Sequence, residues 1–303
     1  MRLASLATIG AVFLLVGCGG DSPKPPSWYG KDAHDSVNLI GFGSASSLDS
    51  AKARALSDIS SQLSVQVSSE FKSQTQRQDS TISHRSSNDI KLDVENIKLS
   101  DVSYVKDEVK DNQYYVKAQI PKSSLIKQFQ GMFNTEYNAL NFNRMSQCSS
   151  ISTKDKARLE YALGKLSVYE MLLHSLGSNT RDLTQLGKVL SENSPLPTAR
   201  LNVQINAPVE VVQSELEKEL GEFYNFDSEA QNVINVKVNL ALIGRNMIKA
   251  NAVMTIYDCR KNVVFTTSVS NTHEGNNLDD SLSFTAQRIG VQLYKKLQEW
   301  VEG

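Results

Sequence analysis

The spacing of apolar residues predicts a strand followed by a helix near the start of the chain. Residues 37–43 have the composition of a strand, and Ser46-Ser47-Leu48-Asp49 is typical of a helix start. Apolar residues then recur at helical intervals, at Ala51, Ala55, Leu56, Ile59 and Leu63. We therefore predict a helix over residues 48–64, with small alanines on the face that approaches a sheet.

Further along the chain, polar and β-branched residues predict strands. From Val65 onward Ser, Thr and Gln are abundant, and two stretches alternate apolar with polar positions: Ile90, Leu92 and Val94, then Tyr114, Val116, Ala118 and Ile120. Residues 74–88 are almost wholly polar and predict an exposed hairpin end or loop, while Asp111-Asn112 predicts a tight turn. Residues 28–122 are thus predicted to form a β-α-β-β-β module.

The middle of the chain, residues 123–195, is predicted to form a helical hairpin or small bundle. Three apolar stripes follow the helical period. They are Leu125, Phe129, Met132 and Phe133; Leu159, Ala162, Leu163, Leu166, Tyr169, Leu172 and Leu173; and Leu183, Leu186, Val189 and Leu190. Ser194-Pro195-Leu196-Pro197 ends this region, because proline cannot continue a helix.

Residues 196–303 are predicted to form a β-α-β-β-β-α module with an antiparallel sheet. Alternating apolar residues mark strands near 201–205, 234–242, 248–256 and 263–269. Pro208 opens a helix that carries Val212, Leu216, Leu220 and Phe223, and a last helix carries Leu282, Ile289, Leu293, Leu297 and Trp300. Because two helices are available to cover one face of the sheet, the predicted fold class of the chain is α+β.

The first 17 residues are predicted to be a lipoprotein signal peptide. Met1-Arg2 precedes an apolar run from Leu3 to Val16, which is shorter than the roughly 20 residues of a membrane-spanning helix. The run ends in Leu15-Val16-Gly17-Cys18, which resembles the bacterial lipobox. The resemblance implies that Cys18 is acylated and becomes the mature N-terminus; an ordinary secretory signal is the alternative.

Two features beside Cys18 predict the location of the protein in the cell envelope. Gly19 takes the place of the aspartate associated with inner-membrane retention, so we expect an outer-membrane lipoprotein, with its periplasmic or surface-exposed side left open. Residues 18–27 contain three prolines and are predicted to be a tether. In polyproline geometry, at about 3.1 Å per residue, the tether spans roughly 28 Å.

Composition narrows the function classes further. The charges are nearly balanced, with 32 basic against 33 acidic residues, which argues against a nucleic-acid partner. Besides Cys18 the chain has only Cys148 and Cys259, and the sequence leaves open whether they form a disulfide or remain two buried thiols. A chain of 303 residues is long enough for two or three small domains.

The residues that could support catalysis or metal binding do not form a known constellation. Gly41-Phe42-Gly43 suggests a dinucleotide-binding loop, but Ser46 stands where the third glycine belongs, and a close turn from helix to strand explains both glycines. His34, His84, His174 and His273 are not in metal-ligand spacing, and His174 is predicted to lie in the core or at its boundary. Residues 275–280 favour a helix-capping turn over a calcium loop. We predict no catalytic residue, metal or cofactor, and therefore no enzyme.

Three motifs resemble the twenty-kilodalton Lpp lipoprotein family of Helicobacter and related bacteria. They are Pro26-Ser27-Trp28, then Gly41-Phe42-Gly43-Ser44-Ala45, and then Ala51-Lys52-Ala53-Arg54-Ala55-Leu56 with Ile59. The same strand and alanine-rich helix are also similar to those of flagellar outer-membrane lipoproteins. The length and three-part layout resemble a larger, three-domain secreted Helicobacter protein associated with that family.

The resemblance implies a non-enzymatic, lipid-anchored envelope protein that acts through protein–protein contacts. Its expected partners are the membrane, through the lipid, and envelope or surface proteins, with a homo-oligomer left open. Two alternatives are a structural component of a flagellar or motility-associated ring and a carrier of a lipid or glycan. The predicted domains are 28–122, 123–195 and 196–303.

Overall fold

The computed structural model describes residues 24–31, 35–77, 97–206 and 209–303. They divide into two compact units. The first unit comprises the residues up to Ile59 together with Asp101–Pro121, and the second comprises residues 60–100 and 122–303. The boundaries of the three predicted domains remain predictions.

The first unit contains a three-stranded antiparallel sheet. Its strands are β1 (Asn38–Ala45), β2 (Ser103–Lys110) and β3 (Gln113–Pro121), in the order β1-β3-β2. Asp111 and Asn112 join β2 to β3 with φ of 51° and 58°, a left-handed conformation that Asp and Asn tolerate well. The predicted tight turn is thus present.

Helix α1 (Leu48–Arg77) begins in the first unit. The Ser47 hydroxyl accepts a hydrogen bond from the Ser50 amide at 3.3 Å and so caps the helix at the predicted position. Ala51, Ala55 and Ile59 are fully buried, as the helical spacing predicted.

Helix α1 is longer than predicted. Strands were predicted from Val65 onward, and this prediction is wrong over residues 65–77, which are helical. No glycine or proline interrupts the helix, and the buried Leu63 and Val67 continue its apolar face four residues apart. Two serine hydroxyls donate back into the helix, from Ser64 to the Ser60 carbonyl at 3.0 Å and from Ser69 to the Val65 carbonyl at 2.9 Å. The strand predicted at Ile90, Leu92 and Val94 lies outside the described residues.

The second unit contains four helices in its middle part. They are α2 (Lys122–Ala139), α3 (Phe142–Met145), α4 (Thr153–Ser175) and α5 (Thr184–Glu192). Ser152 caps α4 by accepting a hydrogen bond from the Asp155 amide at 3.1 Å. The predicted apolar stripes are mostly buried, but His174 is exposed, so its predicted core or boundary placement is wrong.

A five-stranded sheet and two helices form the rest of this unit. The strands are β4 (Thr198–Ile205), β5 (Asn225–Phe226), β6 (Val233–Leu242), β7 (Met247–Tyr257) and β8 (Val263–Glu274). Their order is β5-β4-β6-β7-β8, with α6 (Val209–Leu220) between β4 and β5 and α7 (Leu278–Glu302) last. Pro208 lies outside the described residues.

The sheet is mixed rather than wholly antiparallel. β6, β7 and β8 pair antiparallel as predicted, but β4 runs parallel to β6. The physical reason is the connection: the segment with α6 carries the chain back to the end where β4 started, which a parallel neighbour requires. With this refinement the predicted α+β fold class is confirmed.

One face of the five-stranded sheet packs against α6 and α7. Alternate residues of β6 and β7 join the apolar residues of both helices in a single core, including Val236, Met254, Leu216 and Leu293. The residues between them, such as Lys237 and Asn251, are exposed. This alternation is what a sheet with one covered face requires. Among the helices of the described residues, none is long and apolar enough to cross a membrane.

Candidate functional site

The chain becomes fixed to the first unit within the last two residues of the predicted tether, residues 18–27. Pro26 is buried, and its carbonyl accepts a hydrogen bond from the Tyr29 amide at 3.0 Å. The Tyr29 ring packs edge-on against Phe42 at 5.5 Å and Tyr115 at 5.1 Å between ring centroids. Pro26 and Ser27, the last two residues of the predicted tether, therefore belong to the folded part of the chain.

Trp28 strengthens this attachment. Its indole Nε1 donates to Glu108 Oε2 at 2.7 Å, and Lys106 Nζ lies 5.1 Å from the centre of its ring. Both partners belong to β2. Cys18 lies outside the described residues.

Cys148 and Cys259 form a disulfide in the structure, with their Cα atoms 5.7 Å apart. Cys148 lies between α3 and α4, and Cys259 lies in the turn between β7 and β8. Arg144 Nη2 contacts Asp258 Oδ2 at 3.2 Å beside this disulfide. A covalent bond and an ion pair thus join the helical part of the second unit to its sheet.

Asp258 organises the turn that carries Cys259. Only 5% of the residue is exposed, and its carboxylate accepts hydrogen bonds from the amides of Arg260 at 3.0 Å and Asn262 at 2.9 Å. Burial alone would raise the pKa of the Asp258 carboxyl. The hydrogen bonds from Asn262, Arg260 and Arg144 outweigh burial and lower that pKa below its ordinary value.

We expect the pH dependence of stability to report on this turn. Because the pKa of Asp258 is lower in the folded than in the unfolded chain, its contribution is complete above the unfolded pKa of about 3.9 and is lost as pH falls below it. Urea unfolding at pH 6 and at pH 3 measures the difference. Asp258→Asn should show a smaller loss of unfolding free energy between these pH values, and an unchanged loss would contradict the assignment.

A buried asparagine forms a second link between the helical part of the second unit and its sheet. Asn232 is 1% exposed, and its Nδ2 lies 3.1 to 3.2 Å from the carbonyls of Ser150, Ile151 and Thr198 and from the Ser150 hydroxyl. Asn193 Oδ1 accepts from the Ile151 amide at 2.9 Å. Buried polar groups need such partners, so this network has a structural role. The sequence offered no signal for it, because the contacts join residues far apart in the chain.

An exposed apolar hairpin end is a second feature that sequence reasoning missed. Leu242 and Ile243, which we call the apolar tip, are 61% and 54% exposed at the turn between β6 and β7. The Ile243 amide donates to the Met247 carbonyl at 2.9 Å, and Asn246 Nδ2 donates to the Asn276 carbonyl at 3.0 Å. The turn is therefore held in place while its apolar side chains face water. Its signal in the sequence is two apolar residues in succession before Gly244.

The predicted capping turn at residues 275–280 is present. Asn277 is the N-cap of α7 and accepts a hydrogen bond from the Asp280 amide at 2.9 Å, while Asp280 Oδ2 accepts from the Asn276 amide at 3.0 Å. These carboxylate and amide oxygens therefore serve the helix start. In the ranges that the structure describes, no three His, Cys, Asp or Glu side chains gather in a group that could hold a metal ion.

Comparison with known proteins agrees with the motifs at the start of the chain. Residues 26–121 match the model of the LPP20 lipoprotein family. The secreted protein HP1454 from Helicobacter pylori is similar, with a TM-score of 0.48 and 19% identity over 85% of this chain and 96% of that chain. A minor lipoprotein from Acinetobacter baumannii has a TM-score of 0.23 and 15% identity over 34% of this chain and 91% of that chain. Comparison with curated proteins gave no match.

The matched segment coincides with the region on which the resemblance was based. It begins at the buried Pro26, just before the residues that contact the sheet, and ends at the last residue of β3. Residues 26–121 thus match the LPP20 lipoprotein family, as the motifs predicted, and this match associates the chain with the cell envelope.

Proposed function

We propose that this chain is an outer-membrane lipoprotein, tethered through acylated Cys18, that acts by contact with other envelope proteins and not by catalysis. The observation that carries the proposal is the LPP20 match, which begins at Pro26, only eight residues after the lipobox cysteine. Two or more acyl chains hold a protein firmly to a membrane, whereas one does so only marginally.

The position of Pro26 limits how far the first unit can stand from the lipid surface. Pro26 is buried, and the Tyr29 and Trp28 side chains that follow it contact the three-stranded sheet. Only the stretch before Pro26 is left to span the gap, and in polyproline geometry it covers roughly 25 Å. The first unit is thereby held close to the bilayer.

The apolar tip is the surface that we assign to protein contact. Soluble surfaces tolerate single exposed apolar residues, but two neighbouring ones at a fixed hairpin end favour burial against a partner. The β6–β7 pairing continues to Leu242 opposite Ile248, so the tip is presented by a regular hairpin. A fixed surface loses less conformational entropy on binding than a flexible one.

The tether is tested by Cys18→Ala. We expect the natural chain to incorporate an alkyne-labelled fatty acid and to fractionate with the outer membrane. Cys18→Ala, made with an ordinary cleavable secretory signal in place of residues 1–17 so that no apolar leader remains, should lose the label and move to the soluble fraction. Gly20→Ala, two residues from the acylated position, serves as the matched control and should keep both. Membrane fractionation of Cys18→Ala without label would show that another contact holds the protein.

Protein contact is tested separately, with a photo-crosslinking residue at Ile243 in intact cells. We expect a discrete crosslinked protein partner that is absent when the same residue is placed at Asn251, which is exposed on the open face of the sheet. A ladder of high-order products would favour the motility-ring alternative. A crosslinked lipid or glycan would favour the carrier alternative, and no product at Ile243 would contradict the role of the apolar tip.

A further inference from the structure

β8 is an edge strand with an unprotected side. It is 12 residues long, it pairs with β7 from Val263 to Glu274, and within the part of the chain that the structure describes it has no strand on its other side. It has no charged residue before Glu274 and contains no proline. A long, regular edge of this kind offers a row of backbone amides and carbonyls to another strand.

The other three sheet edges in the described residues are protected. β5 has only two residues, and β2 carries charges at Lys106, Asp107, Glu108 and Lys110. Along β1, the Phe42 amide donates to Asp58 Oδ2 at 2.9 Å and the Ser44 carbonyl accepts from the Arg54 guanidinium. These are the usual ways of preventing edge pairing. Their absence from β8 sets that edge apart.

We infer that β8 pairs antiparallel with β8 of a second copy of this chain, about a twofold axis at Val269. In this register residues whose numbers sum to 538 lie opposite each other, so both members of every pair share a face. On the open face Thr266 meets Thr272 of the second copy and Ser268 meets Ser270. No like charges are opposed along this stretch, and hydroxyl pairs of this kind stabilise antiparallel sheets.

The covered face supplies a reason for this register. Asn271 Oδ1 is buried and has no hydrogen-bond partner, although buried acceptors are usually satisfied. Asn271 Oδ1 is shielded within one copy, so it meets a new donor only when the Asn271 side chain turns toward the strand edge. About an axis at Val269, Thr267 of the second copy lies opposite Asn271 and its hydroxyl then supplies that donor.

The groove beside the axis is compatible with a symmetric partner. Val269 and Ser270 line it together with Gln292, Lys295, Lys296 and Glu299 of α7. Lys296 Nζ and Glu299 Oε2 are 2.9 Å apart within one copy. Each copy thus brings both signs of charge to this groove, and neither copy presents a surface of one charge to the axis. The paired sheet would have ten strands.

The association is tested by sedimentation equilibrium on residues 18–303 with Cys18→Ala, which lack both the signal peptide and the lipid. We expect a dimer for Cys18→Ala alone. Adding Ser268→Lys and Ser270→Lys places a lysine opposite a lysine twice across the axis and should raise the dimer dissociation constant at least tenfold. Ser268→Lys with Ser270→Glu places opposite charges there and should restore the dimer. Both serines are exposed on the open face, and circular dichroism should show unchanged folding.

Two controls separate β8 pairing from other causes. Asn251→Lys adds a charge to the same open face on β7, away from the edge, and should leave the dimer intact. A chain that stays monomeric at about 100 µM would overturn the inference. So would a dimer that the paired lysines do not weaken. Neither result affects the proposed tether, because these measurements use the chain without its lipid.

Discussion

Gly41→Ala should severely destabilise the first unit. A Cβ atom at Gly41 would overlap the Ala55 carbonyl oxygen of α1 and would lie 2.7 Å from Cγ1 of Ile59. Gly43 faces the Ala51 carbonyl of α1 with similar closeness. Because the obstructing atom is part of the helix backbone, the helix and strand must move apart. Overpacking of flexible side chains typically costs about 1 to 3 kcal/mol, and we expect at least the upper end of that range here.

The two tryptophans allow this effect to be assigned to its unit. Trp28 lies in the first unit and Trp300 in the second. In a Trp300→Phe background, Trp28 emission should show a large fall in the urea midpoint of Gly41→Ala. In a Trp28→Phe background, Trp300 emission should report a much smaller change. Equal effects on both probes would contradict the assignment of the damage to the first unit.

Gly131→Ala is the matched control. Gly131 lies inside α2, and a Cβ added there meets nothing within 4 Å. Alanine is favoured over glycine in a helix interior by about 1 kcal/mol, so this variant should be neutral or more stable. The same substitution is then expected to have opposite signs at the two glycines. A Gly41→Ala chain as stable as Gly131→Ala would contradict the close packing of β1 on α1.

The sequence singled out the two glycines and the alanine face of the helix, but it did not predict that they pack against each other. The spacing of Ala51 and Ala55 predicted a helix able to approach a sheet, and the two glycines were explained by a turn from helix to strand. The structure places Gly41 and Gly43 within β1, facing those alanines. Periodicity assigns a residue to a face, whereas the identity of its neighbour depends on long-range packing.

Composition gave the wrong secondary structure after Val65, although the spacing of apolar residues there was helical. Serine and β-branched residues after Val65 suggested strands, but Leu63 and Val67 keep the helical interval and are buried. In the sheet, β6 and β7 alternate without interruption and were predicted closely, while the parallel pairing of β4 with β6 depends on how the chain crosses over. The edge position of β8 likewise depends on strand order, which no local pattern records.

Replacing both cysteines of the disulfide should produce the second large loss of stability. Cys148 and Cys259 are separated by 111 residues. By the chain-entropy estimate, opening a loop of this length lets the unfolded chain gain conformational freedom worth roughly 4 to 5 kcal/mol. Cys148→Ser with Cys259→Ser should lower the unfolding free energy of the second unit by an amount of that order.

The folded state of this variant should be retained. Arg144 still contacts Asp258 beside the former disulfide, and Asn232 still contacts the carbonyls of Ser150, Ile151 and Thr198. These contacts hold the helical part of the second unit against its sheet without the covalent bond. The loss should therefore appear as a lower guanidinium midpoint with a cooperative transition preserved.

Reductant provides an internal control for the same prediction. In a Cys18→Ala, Trp28→Phe background, Cys148 and Cys259 are the only cysteines and Trp300 is the only tryptophan. Dithiothreitol should shift the Trp300 midpoint of this chain toward that of the double serine variant and should leave the variant itself unchanged. The reduced chain and the double serine variant should also show a larger dependence of unfolding free energy on denaturant than the oxidised chain. The reason is that an unfolded chain without the cross-link exposes more surface. A double serine variant with the midpoint of the oxidised chain would show that the bond contributes nothing to stability.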